Sequence, residues 1–153
     1  MFRELKRKNK ALTNEECENI LRTANTGVLA LHGDDDYPYA VPLNFIYEDN
    51  KIYFHCASEG HKIDSIKRNP KASFCVVSKD TVIPEKLTTK YESIIVFGRV
   101  HIIEDEEEKL NAIKKLSFKY APHENSDAEI KKYWNALTML QFNVEHISGK
   151  KAK

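Results

Sequence analysis

The sequence predicts a mainly β, α+β chain: a small closed or split antiparallel barrel with helices packed outside it. Two observations carry that expectation. Five or six short apolar runs are each closed by turn residues, and between them the hydrophobic period switches to helical spacing only in short stretches. So many short strands are more than a flat sheet could cover in 153 residues, and closing the sheet removes most exposed edges.

The elements follow in order. Residues 1–12 form a basic N-terminal arm carrying Arg3, Lys6, Arg7, Lys8 and Lys10, expected to lie in solvent or against a partner subunit. Thr13 to Glu16 match a capping box, which predicts a helix from Asn14 to about Ala24, with Ile20 and Leu21 facing inward. Gly27 to Leu31 reads as a strand closed by the turn Gly33-Asp34-Asp35-Asp36. Tyr39 to Tyr47 and Lys51 to Cys56, joined by Glu48-Asp49-Asn50, look like a hairpin. Pro42 cannot donate to a ladder, so the first of these strands should be an edge or carry a bulge.

A short helix from about Glu59 should stop at Asn69-Pro70, followed by a strand from Ala72 to Ser78. Residues 79–90 are polar, hold Pro84 and read as a long loop. Ser93 to Ile103 is the longest strand signal, and Gly98 within it suggests a bend or the close approach of a flat ligand. Asp105 to Tyr120 is helical, with an acidic start that suits its N-terminus. Ala128 to about Leu137 reads as a further helix carrying Trp134, more naturally a core or interface residue than a ligand-stacking one. Leu140 to Ile147 alternates cleanly as a half-buried strand, and residues 149–153, with Lys150, Lys151 and Lys153, read as a flexible tail. No repeat or linker divides the chain, so residues 1–153 are expected to form one domain.

Composition narrows the function. The 24 basic and 23 acidic residues leave a net charge of +1, so no global field favours nucleic acid. The basic N-terminus lacks the apolar core of a secretory signal, and no apolar run approaches the about 18 residues a transmembrane helix needs. Cys17, Cys56 and Cys75 are odd in number and widely spaced, which argues against a disulfide framework or a zinc knuckle. A cytoplasmic protein with reduced thiols and no membrane partner is expected. His101 and His146 lack ligand-spaced partners, so no metal site is expected.

The most informative segment is YFHCASEGHKIDSIKRNPKAS, Tyr53 to Ser73. It gathers Ser58, Gly60, His61 and Lys62 at the start of the short helix. A helix N-terminus offers unpaired N–H donors and the positive end of the dipole. A hydroxyl, a glycine, an imidazole and an ammonium beside it make a phosphate cradle, which points to a phosphorylated cofactor.

The run YPYAVPLNFIYEDNKIYFHCASEGHKIDSIKRNPKASFCVV, with VIPEKLTTKYESIIVFGRVHIIEDEEEK after it, resembles the pyridoxamine 5′-phosphate oxidase-like flavoproteins. Within them it is most similar to the nitroimidazole-resistance (Nim) branch. The likeness covers nearly the whole chain. It implies an FMN-binding split β-barrel homodimer with FMN at the subunit interface. His61 and Lys62 match the Arg-Lys pair that grips the FMN phosphate. Val41, Pro42, Leu43 and Asn44 match the strand along the flavin ring, where Asn44 replaces a lysine and brings no charge. His55 and Cys56 match a Tyr-Thr pair on the next strand, and Ser93 matches a glutamine contributed across the interface. Cys56 is more naturally a small buried filler than a nucleophile.

Departures matter equally. Nothing after Ile147 supplies the arginine, histidine and tryptophan segment that holds pyridoxal phosphate, so pyridoxamine phosphate oxidation is not expected. The resemblance implies a flavin-dependent reductase of small electrophiles such as nitroimidazoles, an oxidoreductase of the nitroreductase kind, with His55 as its catalytic candidate. The alternative is a non-catalytic flavin carrier or redox-sensing dimer, which the absence of a dinucleotide fingerprint keeps open. A haem-binding split barrel is a third reading.

Overall fold

The computed structural model describes residues 1–152. Seven strands form one antiparallel sheet in the order β2-β1-β5-β6-β7-β4-β3. They are β1 (Thr26–His32), β2 (Pro38–Asn44), β3 (Ile46–Glu48), β4 (Lys51–Ala57), β5 (Lys71–Ile83), β6 (Thr88–Ile102) and β7 (Leu137–Ala152). The helices are α1 (Asn14–Thr23), α2 (His61–Arg68), α3 (Glu106–Tyr120) and α4 (Asp127–Tyr133). The sheet curls until β2 approaches β4, which gives the expected split barrel.

Local chemistry explains most boundaries. Thr13 and Glu16 form the full reciprocal capping box of α1. Asp105 accepts from the Glu108 N–H and starts α3. Asp49 and Asn50 take left-handed φ values of 51° and 63°, the conformation a tight two-residue hairpin turn needs between β3 and β4. Inside the barrel Phe45, Phe54 and Phe74 pack edge to face, with Leu29, Val76, Val96 and Phe142 fully buried around them. A second cluster holds α3 and α4 against the sheet through Ile113, Leu116, Ile130 and Met139, with Trp134 partly buried against it.

Five expectations are corrected. The hairpin is only three residues deep, because the chain breaks at Phe45 and β2 pairs instead with β1, from Thr26–Asn44 to His32–Pro38. That leaves β2 at the sheet edge, where Pro42 needs no ladder partner on one side. Residues 79–90 are not a loop: β5 runs on to Ile83, and Thr81, Val82 and Ile83 pair with Lys90, Thr89 and Thr88 in turn, beyond a bulge after Val77. Gly98 admits a neighbouring strand rather than a ligand; a Cβ there would lie 2.1 Å from the Asn143 carbonyl oxygen, at the register shift between β6 and β7. The helix expected over 128–137 stops at Tyr133, and Leu137 already belongs to β7.

The tail is no tail either. Gly149 to Ala152 continue β7 against Tyr91 to Ile94, and Lys151 pairs with Glu16 at 3.1 Å; Lys153 lies outside the described residues. The arm is tied to this strand. Ala11 bridges to Lys150, the Leu12 N–H donates to the Gly149 carbonyl, and Phe2 stacks on His146 with ring centroids 4.8 Å apart.

Candidate functional site

The β4–α2 corner assembles most of the residues the sequence singles out. Antiparallel pairing with β7 fixes β4 so that Phe54 points into the core and His55 outward. Cys56 packs against the core, and burial raises its thiol, an effect the nearby Lys62 ammonium opposes. Burial lowers the pKa of His55, and the charge of Lys62 lowers it further. Lys62 therefore stands within electrostatic reach of both, and His55 is held toward its neutral form.

Gly60 sits before the first turn of α2 with φ 135° and ψ −173°, a conformation that suits glycine almost alone. No side chain caps the helix, and the space a Cβ would fill is open to beyond 4 Å. The first N–H groups of α2 thus lie at an open surface beside exposed Ser58 and half-buried Lys62. A phosphate suits such a place: the donors are present and the dipole has the right sign.

His61 is engaged more closely than its neighbours. Its ring stacks on Tyr39 of β2 with centroids 4.0 Å apart, and its Nε2 accepts from the Asp34 N–H at 3.3 Å. With Nε2 accepting, the proton of the neutral ring sits on Nδ1. The Asp34 carboxylate lies 3.7 Å from Nε2 and also pairs with Arg68 at 3.3 Å, while Arg68 donates to the His32 carbonyl at 3.0 Å. The turn holding Asp34 links both ends of α2. The sequence places Asp34 in a turn and Tyr39 at the start of a strand but assigns neither of them, nor Arg68, to the site.

The strand expected along a flat ring divides by face. Val41 and Leu43 pack toward the core, so their backbone is what they can offer a ligand. Pro42 and Asn44 face outward, and Asn44 Nδ2 donates to the Asn25 carbonyl at 2.9 Å. Just beyond, Lys119 of α3 donates to the carbonyls of Ala24 and Phe45 at 2.6 and 2.8 Å. The Tyr120 hydroxyl donates to the Asn25 carbonyl and accepts from the Phe45 N–H. Burial lowers the Lys119 ammonium to about 8.

Ser93 is not brought to the α2 corner by its own chain. It sits on β6 between Val77 and Lys150, on the outer face of the sheet. That face is unusually apolar: Val28, Val77, Ile95 and Phe97 are each between 39% and 59% exposed, and Val28, Cys75 and Ile95 form one cross-strand row. A cleft of about 530 Å³ opens at its end among Arg68, Lys71, Tyr37 and Phe97. Among the described residues no group of three or more His, Cys, Asp or Glu side chains could hold a metal ion, and no helix is long and apolar enough to cross a membrane.

Comparison with known proteins places these features. A family model described as pyridoxamine 5′-phosphate oxidase matches residues 13–151. An uncharacterised protein of Rhizobium meliloti (strain 1021) is 30% identical over 91 residues, 59% of this chain, and the match spans about half of that relative, 54% of its length. A structure from Bacteroides thetaiotaomicron VPI-5482, proposed to be a 5-nitroimidazole antibiotic resistance protein, superposes with a TM-score of 0.79 at 25% identity, covering 92% of this chain and 85% of that one. A FAD-binding protein of Mesorhizobium loti (TM-score 0.69, 24% identity, 94% and 98% covered) and a FAD- and haem-binding protein of Mycobacterium smegmatis (0.77, 19%, 94% and 74%) share the fold.

Proposed function

The chain belongs to the pyridoxamine 5′-phosphate oxidase family, and on that premise we propose that it is a flavoprotein, a homodimer with FMN at the subunit interface, that reduces small electrophiles such as nitroimidazoles. The observation that carries the reading is the uncapped start of α2, where Gly60 leaves open space in front of free N–H donors and Lys62 supplies a cation. The likeness to the Bacteroides protein supports the substrate class.

The bound flavin supplies the electron pair; the chain supplies position and electrostatics. Lys62 and the α2 N–H groups hold the phosphate, with His61 donating from Nδ1. The backbone of Val41 to Leu43 and the outward face of β2 support the ring, and Asn44 offers it an uncharged donor. His55, whose pKa is lowered by burial and by Lys62, orients the substrate by donating a ring N–H hydrogen bond to the nitro group, while the protons of the reduction come from solvent. Cys56 shapes the wall. The exposed apolar row of Val28, Ile95 and Phe97 is the surface a second copy covers, which delivers Ser93 to the partner's site.

The test is an absorbance spectrum of the purified chain after incubation with FMN and removal of the excess. About one oxidised flavin per chain is expected. Lys62→Ala should lose more FMN than His55→Ala, and His55→Ala should slow nitro reduction while keeping the flavin. A colourless chain that retains no flavin overturns the reading.

A further inference from the structure

Asp34 is an acidic side chain placed where an anionic ligand would be held. Its carboxylate lies 3.3 Å from Arg68 and 3.7 Å from the His61 ring. All three groups are substantially solvated, at 66%, 49% and 37% exposure, so the pairing is weak and readily shared or broken. Its position does not depend on the charge. The turn is closed by the Gly33 N–H to the Tyr37 carbonyl at 2.8 Å and the Tyr37 N–H to the Asp34 carbonyl at 3.0 Å, and the Asp34 N–H reaches His61 through the backbone. The carboxylate is therefore a fixed negative charge between the His61 ring at the start of α2 and the Arg68 guanidinium at its end.

We propose that Asp34 is a specificity-determining residue that limits how tightly the α2 site holds a phosphate, by pairing Arg68 with an internal anion and setting a negative charge beside the His61 ring. The inference rests on the proposed phosphate site and adds to it a counter-charge that discriminates by ligand charge. A dianionic phosphate meets repulsion from Asp34, whereas an uncharged ligand of the same shape does not.

The experiment measures FMN and riboflavin affinities for the full chain, Asp34→Asn and Arg68→Gln at low and high salt. Asp34→Asn keeps the side-chain oxygen facing Arg68 and removes only the charge. FMN should bind about threefold to tenfold more tightly, the worth of one charge at about 6 Å in a half-solvated site, and riboflavin should not change. The gain should shrink at about 1 M salt, where screening acts over a few ångströms. Arg68→Gln should weaken FMN and spare riboflavin. Unchanged or weaker FMN binding by Asp34→Asn, or an equal shift for riboflavin, overturns the proposal. Asp34→Ser is the second variant should the first perturb the turn, checked by its unfolding midpoint. Inorganic phosphate, followed through the NMR signals of the His61 ring, is the flavin-independent probe. If it binds Asp34→Asn more tightly while FMN binds neither chain, Asp34 stands and the flavin reading falls. If it binds both chains equally, Asp34 falls.

Discussion

The two ends of β2 are built in opposite ways. At its start, Tyr39 packs partly on the core and stacks on the His61 ring, beside a turn held by the half-solvated Asp34–Arg68 pair. At its end, the break at Phe45 is stapled by Lys119 and Tyr120, which bind the backbone of Ala24, Asn25 and Phe45 at once. The staple is needed because a strand break leaves backbone groups that no ladder satisfies, and those of the buried Phe45 must find side-chain partners. The open start needs no such help. The start of β2 is thus the end at which the proposed flavin would meet the fewest contacts to displace, while the other end holds the strand in register.

Three measurements test that contrast. The largest effect should come from Tyr120→Phe, which strands the buried Phe45 N–H and should cost about 2 kcal/mol in urea unfolding; a loss under half of that would show the staple to be ornamental. Next is the pH response of Lys119. Its folded value near 8 lies below the ordinary 10.5, so the unfolded chain binds more protons between those values. Stability should rise with pH through that window, and Lys119→Met should flatten the rise relative to wild type. A parallel profile for the two proteins would contradict burial as the cause. The smallest effect should be His61→Ala, which loses one exposed stacking contact worth about 0.5 kcal/mol. Its consequence should appear in FMN affinity rather than in the unfolding midpoint.

Much of this was legible where the signal is local. The capping box at Thr13, the acidic cap at Asp105, the Asp49-Asn50 turn and the alternation of Leu140 to Val144 all involve residues within four positions of one another. The β4–α2 corner was legible for the same reason, since strand, glycine, imidazole and ammonium are consecutive. What failed was every choice between a near partner and a distant one. The hairpin rule favoured pairing β2 with β4, yet the outward kink at Phe45 returns β2 to β1. Lysine-rich residues after Gly149 look like a solvated tail because their partners, Tyr91 to Ile94 and Glu16, lie far earlier in the chain. His61 was legible as a residue of the helix start but not as a ring pinned between Tyr39 and Asp34, and Lys119 was legible only as a helix lysine. Periodicity reports which face a residue takes, not which distant strand it meets.

The place of β7 in the sheet has a consequence for how the molecule is made. It is synthesised after every other strand, yet it lies between β6 and β4 and joins β4 and β3 to the rest. Until residues 137–152 leave the ribosome, the nascent chain carries two unjoined sheet fragments with raw edges where β7 will insert. Such edges invite pairing with other chains. The synthesis of residues 137–152 is thus the interval in which this sheet most needs a chaperone, and slowing or stalling there should raise aggregation more than a pause at an earlier strand.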